Sequence, residues 1–209
     1  WNVTARMGIP HVRQHLEERA LTAWFLLDLS PSVDFGTARA LKRTMVVDMV
    51  AILARLLAKG GNRVGAVLSS GATERVIPAA GGRAQVLALV RGLQEAPRLR
   101  RAPVTDLGRL LGKADRTIRR RSLVFVVSDF ISTPGWARRL ADLARRHDIV
   151  AVRLTDPMER ELPDIGLVVM QDAETGEQLL VDTHDKAFRR RFARAAEKRE
   201  EELRAALGD

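Results

Sequence analysis

The stretch Leu26-Leu27-Asp28-Leu29-Ser30-Pro31-Ser32 closes an apolar run that begins at Thr22. Residues 22–27 are apolar, start on a β-branched residue and stop at turn-forming residues, so they predict a buried strand. One carboxylate and two hydroxyls then follow at alternate positions, where open α/β sheets bind their ligands. These oxygens suit a hard divalent cation. Because Asp, Ser and Pro also build ordinary turns, a turn explains the motif alone better than a metal site does.

Segments with strand and helix patterns alternate along the rest of the chain. This alternation predicts an α/β fold with a doubly wound, mostly parallel central sheet, one antiparallel edge strand and helices on both faces. The predicted helices are residues 38–59, 84–94, 105–119, 135–147 and 185–207, and the further predicted strands are 63–69, 73–78, 122–128, 149–154, 167–171 and 178–181.

We predict three parts in the chain. Residues 1–20 form a lead-in segment, and residues 21–154 form the α/β domain. Residues 155–209 form a hairpin, turning about Thr175-Gly176, and a C-terminal helix that packs on or beside that domain.

The composition excludes several kinds of chemistry. Without cysteine there is no disulfide, thiolate metal site or cysteine nucleophile. The histidines His11, His15, His147 and His184 lack zinc-site spacing, apart from a weak helical spacing of the first two. No apolar run is long enough to span a bilayer. Because the chain opens on Trp1, we expect a fragment or a processed form. We expect a cytoplasmic location, with anchoring by another segment left open.

The charge is strongly basic, with a net value of +9 and basic runs at residues 98–101, 116–121, 138–146 and 189–199. Such a surface suits nucleic acid, an acidic membrane or an acidic protein partner. Aromatic residues make up only 4% and do not alternate with the basic runs to stack bases. We therefore favour solvated helix faces over nucleic-acid binding.

Oxygen ligands recur at two further places that could share the same sheet edge. Asp28, Ser30 and Ser32 follow the first strand, Thr105 stands at a predicted helix start, and Asp129 follows the strongest strand. Taken singly, Thr105 is explained as a helix N-cap and Asp129 as a cap or turn residue. All five in this order point to a metal site.

This order resembles the metal-ion-dependent adhesion site of von Willebrand factor A domains. The chain is still more similar to a bacterial branch catalogued as domain of unknown function fifty-eight, and the resemblance covers most of residues 1–154. The stretches that carry it are Trp1-Asn2-Val3-Thr4-Ala5-Arg6, Glu17-Glu18-Arg19, Asp28-Leu29-Ser30-Pro31-Ser32, Thr105-Asp106-Leu107 and residues 123–130.

The resemblance implies a site for Mg²⁺ or Mn²⁺. It implies that Ser30, Ser32 and Thr105 contact the metal directly, while the two aspartates act largely through water. A cation bound this way is incompletely neutralised and keeps a position for an Asp or Glu of a protein partner. Asp34 and Asp106 lie close by in sequence and are expected only as outer-sphere groups.

The leading hypothesis is therefore a metal-dependent protein-interaction module without catalytic residues. The resemblance implies an adaptor for a MoxR-type AAA+ ATPase in protein maturation or assembly. A phosphoryl-transfer enzyme is the alternative, because an Asp at a strand end with Ser and Thr nearby also suits that reaction. Against it, Ser30 replaces a second acid after Asp28, no Lys adjoins Ser128-Asp129, and no phosphate-binding glycine loop is present. Nucleic-acid binding through the arginine runs is a third hypothesis.

Overall fold

The structure is a computed structural model that describes residues 20–34, 36, 41–71, 73–99, 105–171 and 177–208. Nearly all of the predicted lead-in, with His11 and His15, lies outside the described residues. So do the predicted first residues of the helix at 38–59 and the predicted turn at Thr175-Gly176.

The described chain alternates strands and helices much as the sequence predicts. The strands are β1 (Thr22–Asp28), β2 (Arg63–Ser69), β3 (Glu74–Ala80), β4 (Leu123–Ser128), β5 (Asp148–Arg153), β6 (Leu167–Gln171) and β7 (Gln178–Asp182). The helices are α1 (Lys42–Lys59), α2 (Gly82–Gln94), α3 (Leu107–Thr117), α4 (Trp136–Ala144) and α5 (Lys186–Leu207), with short 3-10 turns at Pro31–Asp34 and Pro157–Glu159.

Five strands form the central sheet in the order β3-β2-β1-β4-β5. All neighbouring pairs are parallel except β2 with β3, which are antiparallel. The predicted fold class is therefore confirmed, including the single reversed edge strand. The central strand β1 pairs Leu27 with Val127 of β4, so the carboxyl ends of these two strands lie side by side.

Both faces of the sheet are covered by helices, and alternate residues of β1 pack against the helices on opposite faces. Ala23, Phe25 and Leu27 belong to the apolar cluster shared with α1 and α2. Trp24 and Leu26 belong to the cluster shared with α3 and α4. Because each face needs apolar side chains, the strand is almost continuously apolar instead of alternating with polar residues.

The C-terminal helix contacts this sheet domain. β6 and β7 form a separate two-stranded antiparallel sheet, and α5 follows with Asp185 as its N-cap. Leu203 of α5 is buried in the cluster with α3 and α4, and Glu200 forms an ion pair with Arg153 at the end of β5. None of the described helices combines the length and apolar character that crossing a membrane requires.

Candidate functional site

Asp28 is the last residue of β1 and is held rigidly at the carboxyl edge of the sheet. Its side chain is 2% exposed. Oδ1 accepts a hydrogen bond from the Ser30 backbone N–H at 3.0 Å, and Oδ2 accepts one from the Ser128 hydroxyl at 2.7 Å. Burial, and then the nearby charge of Asp129, raise the pKa of Asp28 above its ordinary value, although these hydrogen bonds oppose that rise. The site therefore concentrates negative charge in a buried place.

Ser30 and Ser32 present two hydroxyl groups next to this carboxylate. Their Oγ atoms lie 3.0 Å apart. The chain turns here into the 3-10 turn, in which the Val33 N–H donates to the Ser30 carbonyl at 3.0 Å. Val33 is fully buried and anchors the turn in the core. The turn of the backbone therefore brings the two hydroxyl groups of the motif together.

Asp129 follows β4 and is also 2% exposed. Its Oδ1 accepts a hydrogen bond from the Ile131 N–H at 3.0 Å. Its Oδ2 is buried and has no hydrogen-bond partner among the residues that the structure describes. The next residue, Phe130, has a φ of 60°, in the left-handed region that bulky residues rarely adopt. Its ring packs against Trp136 at a centroid distance of 5.3 Å, which helps to hold this unusual turn.

Thr105 is buried at the same edge, and it is not the cap of the following helix. Asp106 is the N-cap of α3, so the ordinary explanation of Thr105 as an N-cap is wrong. The Ser132 hydroxyl donates to the Thr105 carbonyl at 3.0 Å and accepts from the Leu107 N–H at 2.8 Å. Ser132 thus connects Thr105 and the start of α3 to the segment that follows β4.

The two additional aspartates near this edge have other partners. Asp34 forms an ion pair with the buried Arg43 at 3.3 Å. The guanidinium of Arg43 also donates to the Ala96 carbonyl at 2.6 Å, which fixes its position. Asp106 accepts a hydrogen bond from the Arg109 N–H. Neither carboxylate is therefore needed to explain the charge of the site.

Three supporting residues were not found from the sequence: Ser128, Ser132 and Lys42. Ser128 immediately precedes Asp129, so a hydroxyl at a strand terminus was an available signal. The sequence gives no such signal for Lys42, because this residue is distant from Asp129 in sequence and only the folded chain brings the two together. Nζ lies 3.7 Å from Asp129 Oδ2 and also forms an ion pair with Glu159. No lysine adjoins Asp129 in sequence, but in space Lys42 lies beside it.

The donor chemistry fits an oxygen-preferring divalent cation. It comprises three hydroxyl groups and two buried carboxylates, one of which has an oxygen without a hydrogen bond. In the part of the chain that the structure describes, no group of three or more His, Cys, Asp or Glu side chains could hold a metal. The site therefore differs from a cage of carboxylates, and neutral hydroxyl ligands would leave a bound cation positively charged.

Comparison with known proteins shows the family of this chain. The family model described as protein of unknown function DUF58 matches residues 1–202. The chain belongs to this family. It is 40% identical over 196 residues to the uncharacterized protein Rv1480 of Mycobacterium tuberculosis. The aligned region covers 94% of this chain and 62% of that protein. The chain thus spans less than two-thirds of the length of this curated relative.

Two solved structures are similar in fold. The conserved hypothetical protein BatB from Bacteroides thetaiotaomicron has a TM-score of 0.58 at 14% identity, covering 91% of this chain and all of that one. An aerotolerance-related membrane protein from Bacteroides fragilis has a TM-score of 0.57 at 13% identity, covering 85% of this chain and 89% of that one. Both likenesses concern the fold alone, a mixed sheet flanked by helices.

Proposed function

We propose that this chain is a metal-dependent protein-interaction module. The metal site consists of Asp28, Ser30, Ser32, Thr105 and Asp129. One observation carries the proposal: two buried carboxylates share an edge with hydroxyl donors, and Asp129 Oδ2 lacks a hydrogen bond among the described residues. A buried carboxylate oxygen without a hydrogen bond is costly unless a cation stands beside it, and the Lys42 ammonium at 3.7 Å compensates Asp129 Oδ2 only in part.

The residues divide into two roles. Ser30, Ser32 and Thr105 are the direct ligands for Mg²⁺ or Mn²⁺, and the two aspartates act through water. Both oxygens of Asp28 already accept hydrogen bonds from the protein, which suits an orienting role. When bound, the cation supplies a positive centre at which an Asp or Glu of a partner completes the coordination.

The partner that we propose is a MoxR-type AAA+ ATPase, with the chain acting as its adaptor in protein maturation or assembly. The net charge of +9 supports an acidic partner surface around the coordinating carboxylate. A cytoplasmic location and the division of the chain after residue 154 are parts of the same proposal.

A phosphoryl-transfer enzyme is the second candidate, and Lys42 is the observation in its favour. A buried ammonium beside Asp129 is suited to stabilising a phosphate. Asp28 would have to be the nucleophile, but both of its oxygens accept hydrogen bonds and the side chain is 2% exposed. The geometry therefore favours binding. Turnover of a generic phosphoester by the parent but not by Asp28→Asn would reverse this preference.

Calorimetric titration of the metal-stripped chain with Mg²⁺ and Mn²⁺ tests the proposal. We expect one site in the parent, no binding in Asp28→Ala or Thr105→Ala, and unchanged binding in Asp34→Ala. Asp34→Ala is the matched control. It removes a carboxylate from the same edge of the sheet, but this carboxylate pairs with Arg43. Binding that survives in both Asp28→Ala and Thr105→Ala would refute the assignment.

The partner is tested separately by capture of the purified ATPase on the immobilised chain. We expect capture with Mg²⁺, loss with a chelator, and loss in Thr105→Ala. Capture that ignores the metal but falls steeply with salt would indicate contact through the basic faces alone. The same salt dependence with an oligonucleotide would support the nucleic-acid hypothesis.

A further inference from the structure

Lys42 is a buried cation at an edge that already has a proposed cation site. It is the first residue of α1 and is 2% exposed. Its ammonium lies 3.7 Å from Asp129 Oδ2, the oxygen without a hydrogen bond among the described residues. A buried lysine is retained only where carboxylates compensate its lost hydration, and here two of them do so.

The second carboxylate belongs to a different element and is itself fixed. Glu159 ends the 3-10 turn after β5, and its Oε2 accepts a hydrogen bond from the Asp156 N–H at 3.1 Å. Asp156 is 4% exposed and caps the same turn. The other oxygen of Glu159 accepts from Lys42. Lys42 therefore stands between the metal-site carboxylate Asp129 and an anchored carboxylate outside the set of proposed ligands.

We propose that Lys42 is an internal counter-cation of this site, held by Glu159, which competes with a divalent cation for Asp129. The inference rests on the proposed metal site and adds a residue that sets its affinity. Without metal, the ammonium offsets part of the charge of the buried carboxylates. With metal, its contact with Asp129 is replaced, and Glu159 remains as its partner.

The charges predict opposite effects for two substitutions. Asp28, Asp129 and Glu159 with Lys42 carry two net negative charges when all are ionised, and this excess of negative charge attracts a divalent cation. Lys42→Met removes the competing charge and should strengthen metal binding. Glu159→Gln keeps the shape and an acceptor for the Asp156 N–H, but it releases the ammonium toward Asp129 and should weaken metal binding. A purely structural ion pair would lower stability in both variants and would not shift affinity in opposite directions.

The magnitude follows from Coulomb's law. One unit charge acting on a divalent cation about 4 to 6 Å away, at an effective dielectric constant of about 80, changes affinity by roughly tenfold to thirtyfold, and a lower dielectric constant enlarges the effect. Lys59→Met is the matched control, because it removes the same charge from the far end of α1, about 26 Å away along the helix axis.

Mn²⁺ titration calorimetry of the metal-stripped full chain and its variants decides the matter. We expect Lys42→Met to bind at least tenfold more tightly than the parent, Glu159→Gln to bind more weakly, and Lys59→Met to match the parent within twofold. Equal affinity of Lys42→Met and the parent would overturn the inference while leaving the proposed site intact. If Lys42→Met does not fold, Glu159→Gln decides alone, and unchanged or tighter binding overturns the inference.

The two proposals fail in distinguishable ways. Binding in Lys42→Met but not in the parent would support the counter-cation and would overturn metal-dependent function for the parent chain. Absence of binding in every variant would overturn both.

Discussion

Ser128 joins the two strands that carry the aspartates, and Ser128→Ala is the substitution that tests this joint. The residue is fully buried at the end of β4. Its hydroxyl donates to Asp28 Oδ2 at 2.7 Å and accepts from the Phe130 N–H at 3.0 Å. One small side chain therefore satisfies a buried carboxylate oxygen and a buried backbone donor next to a residue of positive φ.

The expected cost can be estimated from these two bonds. A hydrogen bond to a charged group contributes about 1.5–3 kcal/mol, and a buried N–H left without an acceptor costs about 1–3 kcal/mol. Because a water molecule can replace part of this, we expect Ser128→Ala to lower the free energy of unfolding by about 2–4 kcal/mol. For a chain of this size that corresponds to a fall in Tm of roughly 5–15 °C.

Ser122→Ala is the matched control, at the opposite end of the same strand. Ser122 is 2% exposed, but its hydroxyl makes one bond, to the Arg120 carbonyl at 2.8 Å. We expect this variant to lose about 0.5–1.5 kcal/mol. Urea unfolding of the metal-stripped proteins at one pH measures both. Equal losses in the two variants would show that the bonds at Asp28 carry no special weight, and Ser128 would then not be a rigid joint of the site.

Three further predictions address the cap of α3, the C-terminal helix and pH. Asp106→Ala should lower the free energy of unfolding by about 1 kcal/mol without weakening Mn²⁺ binding. Thr105→Ala should abolish Mn²⁺ binding and leave the cap in place. The reverse result would contradict the assignment. Leu203→Ala should lower the free energy of unfolding in urea by about 2–4 kcal/mol, because this residue is 8% exposed in the core cluster. A loss below about 0.5 kcal/mol would show that α5 does not pack on the sheet domain. Burial, and then Arg146, lower the pKa of His147, so the unfolded chain binds the proton more readily and stability should fall as pH drops below about 6.5. His147→Phe should reduce this fall in urea titrations, and an unchanged pH dependence would show that His147 is not its source.

The fold could be predicted from the sequence because its signals are local. The strand β1 and the end of α1 at Gly60 could each be predicted from a few neighbouring residues, and so could the edge strand β3. Parallel strands bring their carboxyl ends to one edge, so the approach of Asp28 and Asp129 also follows from topology. The placement of these two proposed metal-site residues is thus a consequence of strand order, and metal binding itself stays a prediction.

The supporting residues could not be predicted, because their partners are distant in sequence. Lys42 reaches Asp129 only through the position of the first turn of α1 relative to β4. The choice between Thr105 and Asp106 as N-cap depends on the Ser132 hydroxyl, which binds the Thr105 carbonyl and the Leu107 N–H. A sequence motif identifies oxygen atoms that can bind a cation, whereas the contacts that fix those atoms come from whichever side chains the fold brings near.

This difference explains why the site should be sensitive to changes outside the motif. Ligand side chains held by backbone turns alone would tolerate small shifts, but neutral hydroxyl ligands bind weakly and need accurate placement. Here the placement depends on Ser128 between β1 and β4 and on Ser132 between the Thr105 loop and the segment after β4. Lys42 then adds a charge that the ligand geometry alone does not reveal. We therefore expect the proposed affinity for a cation to depend on this edge of the sheet as a whole. A chain that kept the five motif residues but lost these supports should bind metal poorly.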